Sequence, residues 1–355
     1  MKNRRAAALG AALLAGILLA GADFASEVYA EQLDMIPVQQ ETAVQPQEEM
    51  VTSYLTGEQI AASKGRRRPI SVMLSNIQEG CPQSGIAKAG VIYEAPVEGN
   101  ITRLMAIFED YDDLTKIGSV RSCRDYYLFY SQEFDAVYAH YGQAVYALNY
   151  LDQGLVDNLN GLSSVGSAVY YRTTDRQAPH NAYTSAEGLS AGIAAEGYRQ
   201  GYSEDYQGHY LFAENGQETI PQGGIAANEV HLNCFPLNQP WFSYDASTGE
   251  YKRFQYGQAQ VDDLTGEQLT CDNIILQYSQ YTNYDENGYL NIDAISGGQG
   301  KFITRGQAID IRWEKDSVWG VTHYFDSSNQ EIRLNPGKTW VEIVLNDRVD
   351  QVTYQ

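Results

Sequence analysis

The chain has 355 residues, a formal net charge of −21 and 43% hydrophobic residues, which allows a real core and about two domains once the ends are set aside. No basic stripe interleaved with aromatics is present, and residues 201–355 hold 22 acidic against 9 basic side chains. This balance argues against nucleic acid as a partner, and an anionic membrane surface would repel the back half. Tyrosine dominates the aromatics, with 27 residues against 10 Phe and 4 Trp. Its flat ring and hydroxyl suit wet binding surfaces, although strand positions take it as readily.

At the amino terminus, Lys2, Arg4 and Arg5 precede the apolar run 6–22, and Val28-Tyr29-Ala30 offers a small-x-small cleavage site before Glu31. This reads as a secretory signal peptide. Left uncleaved, the same run is near the lower length limit of a membrane anchor. Either way the protein belongs outside the cytoplasm, secreted or held at the outer face of the membrane. Residues 31–65 are rich in Gln, Glu, Thr and Pro and read as a disordered stalk, with folding expected to begin at Arg66. Four cysteines in an oxidising compartment allow three pairings. Pairing within each half is the simplest, and a Cys81–Cys123 bridge would pin the turn around residue 121; four free thiols are the alternative.

Residues 66–215 alternate strands and helices. Strands are predicted over 70–76, 91–99, 101–109, 135–142 and 167–173, a short helix within 79–90, and longer helices over 126–134, 143–155 and 185–198. From 228 to 355 the pattern changes to short alternating strands bounded by Gly, Asn and Asp, with a turn at Ser247-Thr248-Gly249. The expected fold is therefore an α/β layered N-terminal domain followed by a mostly antiparallel β C-terminal domain, divided in the Gly- and Gln-rich stretch 200–230.

Common catalytic signatures are missing. Gly337-Lys338-Thr339 lacks the glycine a phosphate loop needs at position 332, where isoleucine stands, and a strand rather than a helix follows it. There is no Gly-x-Ser-x-Gly elbow and no Cys/His spacing that suits zinc. What remains is a set of polar residues at predicted strand ends: Asn76, Glu94, Glu98, Arg103, Arg121, Arg124, Asp125, His140, Arg172, Arg176, His180 and Asn181. Arginine forks bind carboxylate and phosphate in bidentate fashion. The stretch IGSVRSCRDYY (117–127) is central, because it sets two arginines between apolar segments in an acidic chain. Glu94, Glu98 and Asp125 would pair with the arginines, or hold magnesium if the ligand carries phosphates. His140, just before Gly142, is placed to donate a proton. An internal salt-bridge network with no ligand is the structural alternative.

The ordered segments RPISVMLSN, PQSGIAKAGVIYEAPVEGNITRLMAIF, IGSVRSCRDYY, HYGQA and RQAPHNAYT, with IRWEKDSVWGVTHYFDSSNQEIRLNPGKTW further on, resemble the YerB-like family of bacterial lipoproteins, over about residues 66–345. The resemblance implies two domains and an envelope location, and no reaction, since the family's function is unknown. Family lipoproteins carry a lipid-modified cysteine after the signal, where this chain has Ala22 in LLAGA. The order of TRLMAIF, SVRSCRDYY and DAVYAHYGQA also looks like the layout of the LytR-CpsA-Psr phosphotransferases, which act on polyprenyl-pyrophosphate-linked glycans. That likeness implies Arg121 and Arg124 on the pyrophosphate and Glu98 or Asp125 placing magnesium; the aspartate pair expected near the Arg103 strand is not evident. The resulting expectation is an envelope protein that binds an anionic cell-wall glycan or its lipid-linked precursor. The alternatives are a phosphotransferase and an adaptor that contacts an envelope protein partner.

Overall fold

A computed structural model describes residues 48–214 and 217–355. The expected signal peptide and the first part of the expected stalk lie outside the described residues. Glu48–Gln355 form one compact unit.

Strands β1 (Ile70–Ser75), β2 (Val91–Pro96) and β3 (Thr102–Phe108) are buried at every position. Near-continuous apolar runs are what a sheet covered on both faces requires. Helix α1 (Asp125–Gln132) leads to β4 (Val137–His140), and α2 (Val145–Leu151) leads to β5 (Asn158–Asn160). Helix α3 (Ala186–Glu196) has its boundaries written in its sequence. Ser185 caps the start by accepting the Gly188 N–H at 3.1 Å, and Gly197 ends it in the left-handed conformation at φ 68°.

The C-terminal half contributes β6 (Ile225–Ala226), β7 (Glu229–Leu232), β8 (Trp241–Asp245), β9 (Glu250–Gln255), β10 (Asn273–Ser279), β11 (Gly298–Thr304), β12 (Gln307–Lys315), β13 (Thr322–Phe325), β14 (Thr339–Leu345) and β15 (Val352–Tyr354). Its pairings are mostly antiparallel. Both halves share one 11-stranded sheet in the order β6-β12-β11-β10-β14-β2-β3-β1-β4-β5, with β13 paired to β12. The seam is the parallel pair β14–β2, in which Glu342 lies opposite Glu94. A second sheet runs β9-β8-β7-β15, extended at the β9 edge by residues 258–259 and 270–271.

Side-chain alternation divides the core. Val72 and Leu74 of β1 pack with Leu189 and Ile193 of α3 and with Phe242 and Tyr251 of the second sheet. Met73 faces the opposite way, toward Tyr126, Tyr127 and Tyr130 of α1. Helix α1 is buried around nearly its whole circumference, so no amphipathic stripe marks it.

The sequence expectation is corrected in several places. Residues 48–65 are not the end of a stalk. Met50–Thr52 pairs with Gln59–Ala61, Leu55 is fully buried, and the Ser53 hydroxyl accepts the N–H groups of Leu55 and Thr56 while donating to Glu109. A few anchored residues are enough to fold a polar segment when the rest of the chain supplies the surface. The short helix within 79–90 is two 3-10 turns, Gln78–Gly80 and Ile86–Lys88. The strand predicted over 167–173 begins as a helical turn, Gly166–Val169, and extends only over Tyr170–Arg172. All four cysteines are free, so no bridge joins Cys81 to Cys123; burial pushes both thiols up to about 12.

Leu55→Ala should lower unfolding free energy by about 2–5 kcal/mol, the usual cost of emptying a core leucine site. Urea denaturation of the mature chain measures this, and an unchanged midpoint would return residues 48–65 to the stalk.

Candidate anion-binding site

The turn 117–127 lies across the C-terminal ends of β1 and β4, where α/β sheets place ligand sites. Its backbone is stitched to both strands: Ser75 N–H donates to Ser119 O at 2.9 Å, Arg121 N–H to Met73 O at 2.9 Å, and Tyr141 N–H to Arg121 O at 3.0 Å. Three arginines converge here. Arg124 grips Glu98 with a two-pronged fork, Nε to Oε2 at 2.9 Å and Nη2 to Oε1, and its Nη1 donates to Cys123 O at 2.8 Å. Arg103, also buried, donates Nη1 to Ser122 O and keeps Nη2 3.9 Å from the same Glu98. Burial, and then the charge of Arg124, pull Arg103 down to about 10.

Arg121 differs from these two. It is half-buried, its Nη1 is buried without a hydrogen-bond partner, and no carboxylate within the described residues forms an ion pair with it. Burial together with Arg124 and Arg172 lowers its pKa, and only Glu98 opposes the shift. His180 stands in the same field: burial, then Arg121 and Arg176, hold it below the ordinary imidazole value, and its Nδ1 is also buried and unpartnered. Arg176 donates to Gly80 O and Pro82 O at 2.9 Å each. Arg172 is exposed, donates to Asn181 Oδ1 at 2.7 Å and lies 4.6 Å from the centroid of the Tyr141 ring. The buried Ser119 hydroxyl beside Gly80 has no partner either. The result is a local cationic surface, with unsatisfied donors, on an acidic protein. Donors of this kind have the chemistry to bind an anion.

Four of the expected ligand residues are engaged elsewhere. Asn76 and Glu94 sit in the core, beneath the second sheet. Glu94 Oε1 accepts from Asn76 Nδ2 at 3.0 Å, from Asn238 Nδ2 at 2.8 Å and from the Thr102 hydroxyl, while Oε2 takes Arg253 Nη2. Arg253 Nη1 reaches Glu342 Oε1 at 2.6 Å, and all three charged side chains have zero exposure. His140 is fully buried with both nitrogens engaged, Nδ1 with Gly142 O at 2.7 Å and Nε2 with Asn158 Oδ1 at 3.1 Å. It braces the strand end and has no path for a proton. Asp125 is also turned from the arginines, toward the Tyr284 hydroxyl.

Both halves of the chain match a known family. Residues 55–199 match the model described as protein of unknown function (DUF3048), N-terminal domain, and residues 230–341 match the corresponding C-terminal domain. The chain belongs to this two-domain family. A relative from Bacillus subtilis (strain 168), named "Putative lipoprotein YerB", is 29% identical over 319 residues, covering 87% of this chain and 91% of the relative. The crystal structure of the B. subtilis YerB protein matches with a TM-score of 0.76 at 29% identity, over 86% of this chain and 99% of that one. Among the described residues of this chain, no helix is long and apolar enough to cross a membrane.

The sequence reading missed Arg253, Asn238 and Glu342 in the buried network, and Ser119 at the arginine cluster. Nothing local marks Arg253, whose partners lie 159 and 89 residues away. Ser119, two residues before Arg121, was within reach of the argument from the turn. Burial and the neighbouring charge of Glu94 push Glu342 well above the carboxylate range, with Arg253 opposing. Burial thus biases Glu342 toward its neutral form, with the Arg253 guanidinium working against that bias. Arg253→Met should cost about 3–5 kcal/mol by stranding a buried carboxylate. Glu342→Gln, nearly isosteric with the protonated acid, should stay within about 1 kcal/mol of wild type at neutral pH. Chemical denaturation of the two variants checks the contrast.

Proposed function

We propose that the protein binds an anionic ligand, bearing phosphate or carboxylate groups, at the extracytoplasmic face of the cell envelope. Arg121 is the primary contact, Arg172 and His180 flank it, and Arg103, Arg124 and Arg176 supply the surrounding positive field. The observation that supports this reading most directly is Arg121 Nη1, buried, unpartnered and surrounded by like charge. A purely structural arginine would have found a carboxylate or carbonyl. Wall glycans and their lipid-linked precursors are the envelope molecules with suitable chemistry. Binding is favoured over phosphoryl transfer, because the carboxylates expected to place magnesium are engaged, Glu98 by Arg124 and Asp125 by Tyr284.

Isothermal titration with inorganic pyrophosphate at low ionic strength tests the site. Arg121→Ala should weaken binding roughly ten- to a hundredfold, the value of a charge-assisted hydrogen bond, with the melting temperature unchanged. Loss of stability without any measurable anion binding to wild type would make the cluster structural.

The pH dependence has a definite sign. His180 is depressed in the free protein, and a bound anion raises it, so binding takes up a proton. Sulfate affinity should therefore rise as pH falls through the ordinary histidine range, and His180→Asn should flatten the profile. Sulfate keeps its own charge across that range, so a slope retained in the variant would assign the effect elsewhere.

A further inference from the structure

On the other side of the α1 amino terminus from the arginines, a cleft of about 670 Å³ opens between α1, α2 and the segment 280–295. That volume is in the range of small-molecule sites. Its apolar wall is a trio of rings in mutual edge-to-face contact. Phe129 lies 5.1 Å from Tyr150 and 5.2 Å from Trp319, and Tyr150 lies 5.8 Å from Trp319, centroid to centroid. Phe129 is buried and forms the base, while Tyr150 and Trp319 are half-buried and present surface to the cleft. Packing of this kind fixes the ring orientations before any ligand arrives.

The polar wall carries the side chains of Asp125, Gln153, Gln280, Asn291 and Asp293. No lysine, arginine or histidine lines the cleft, so an anion has nothing to bind there. The two carboxylates are already engaged by donors of the protein itself. Asp125 accepts the Tyr284 hydroxyl and is raised by burial, and Asp293 Oδ1 accepts the Ile295 and Ser296 N–H groups at 2.9 Å each. The occupant that fits is uncharged, with an apolar face and a rim of hydroxyl or amide groups. A pyranose ring has this construction: axial C–H bonds form a flat apolar face, and equatorial hydroxyls project around its edge.

We propose that this cleft is a carbohydrate-binding subsite that takes neutral sugar units of an oligosaccharide, stacked on Trp319 and Tyr150 and held at the rim by the carboxamides of Gln153, Gln280 and Asn291. The assignment does not rest on anion binding at Arg121. Tryptophan fluorescence and isothermal titration of the mature protein, with soluble oligomers of N-acetylglucosamine, glucose and mannose, test it. At least one oligomer should bind and perturb the fluorescence. Trp319→Ala should weaken that binding by about tenfold or more, while Trp319→Phe, which keeps a stacking face, retains most of it and controls for folding. Saturating pyrophosphate should leave the sugar isotherm in place. The proposal fails if none of the oligomers binds, or if binding survives both Trp319→Ala and Tyr150→Ala. It also fails if pyrophosphate displaces the sugar, which would move the sugar to the arginines, or if a cationic peptide binds the cleft in place of all sugars.

Discussion

One guanidinium bridges the two carboxyl groups that meet at the seam between the halves of this protein. The seam strands β2 and β14 place Glu94 and Glu342 directly opposite each other in parallel register, at zero exposure, where like charges repel. Arg253, brought in from the second sheet, donates to both carboxylates and lies 4.5 Å from the ring centroids of Phe242 and Trp340. The cation set between them compensates that repulsion. Because Arg253 belongs to β9, this pairing also fixes how the second sheet sits on the first.

With the seam fixed, the far ends of β1 and β4 become a rigid frame for the turn 117–127. The backbone bonds of Ser119, Arg121 and Tyr141 leave that turn little freedom, and the Glu98–Arg124 fork consumes the nearest carboxylate. Arg121 keeps an uncompensated charge as a result of this division of partners. A local positive surface on an acidic protein also narrows where an anion can settle, since repulsion elsewhere guides it to the same place.

The strands that form the frame were legible because full burial demands unbroken apolar runs, as in Ile70–Ser75 and Thr102–Phe108. Helix α3 was legible from Ser185 and Gly197. The concentration of arginines at strand ends drew attention to 121–124, but residue type alone could not separate Arg121 from Arg124, or either from Arg253. That distinction depends on which carboxylates arrive from distant sequence. Glu94 and Asn76 looked available for the same reason: their partners Asn238 and Arg253 lie in the other half. His140 had the right neighbours for a proton donor and is instead consumed by Gly142 and Asn158. The folded segment 48–65 was hidden by its polarity, since its attachment rests on little more than Leu55 and Ser53.

The seam also governs how the protein must be made. Strand β2 has β3 on one side from early in synthesis, but its other edge waits for β14, nearly the last strand in the chain. Until then the N-terminal half carries an open sheet edge, and Arg253, which arrives earlier with β9, has only Glu94 of its two carboxylate partners; an open edge favours wrong associations. Any product cut short before residue 339 keeps that edge open permanently. Completion of the polypeptide and closure of its core are thus the same event.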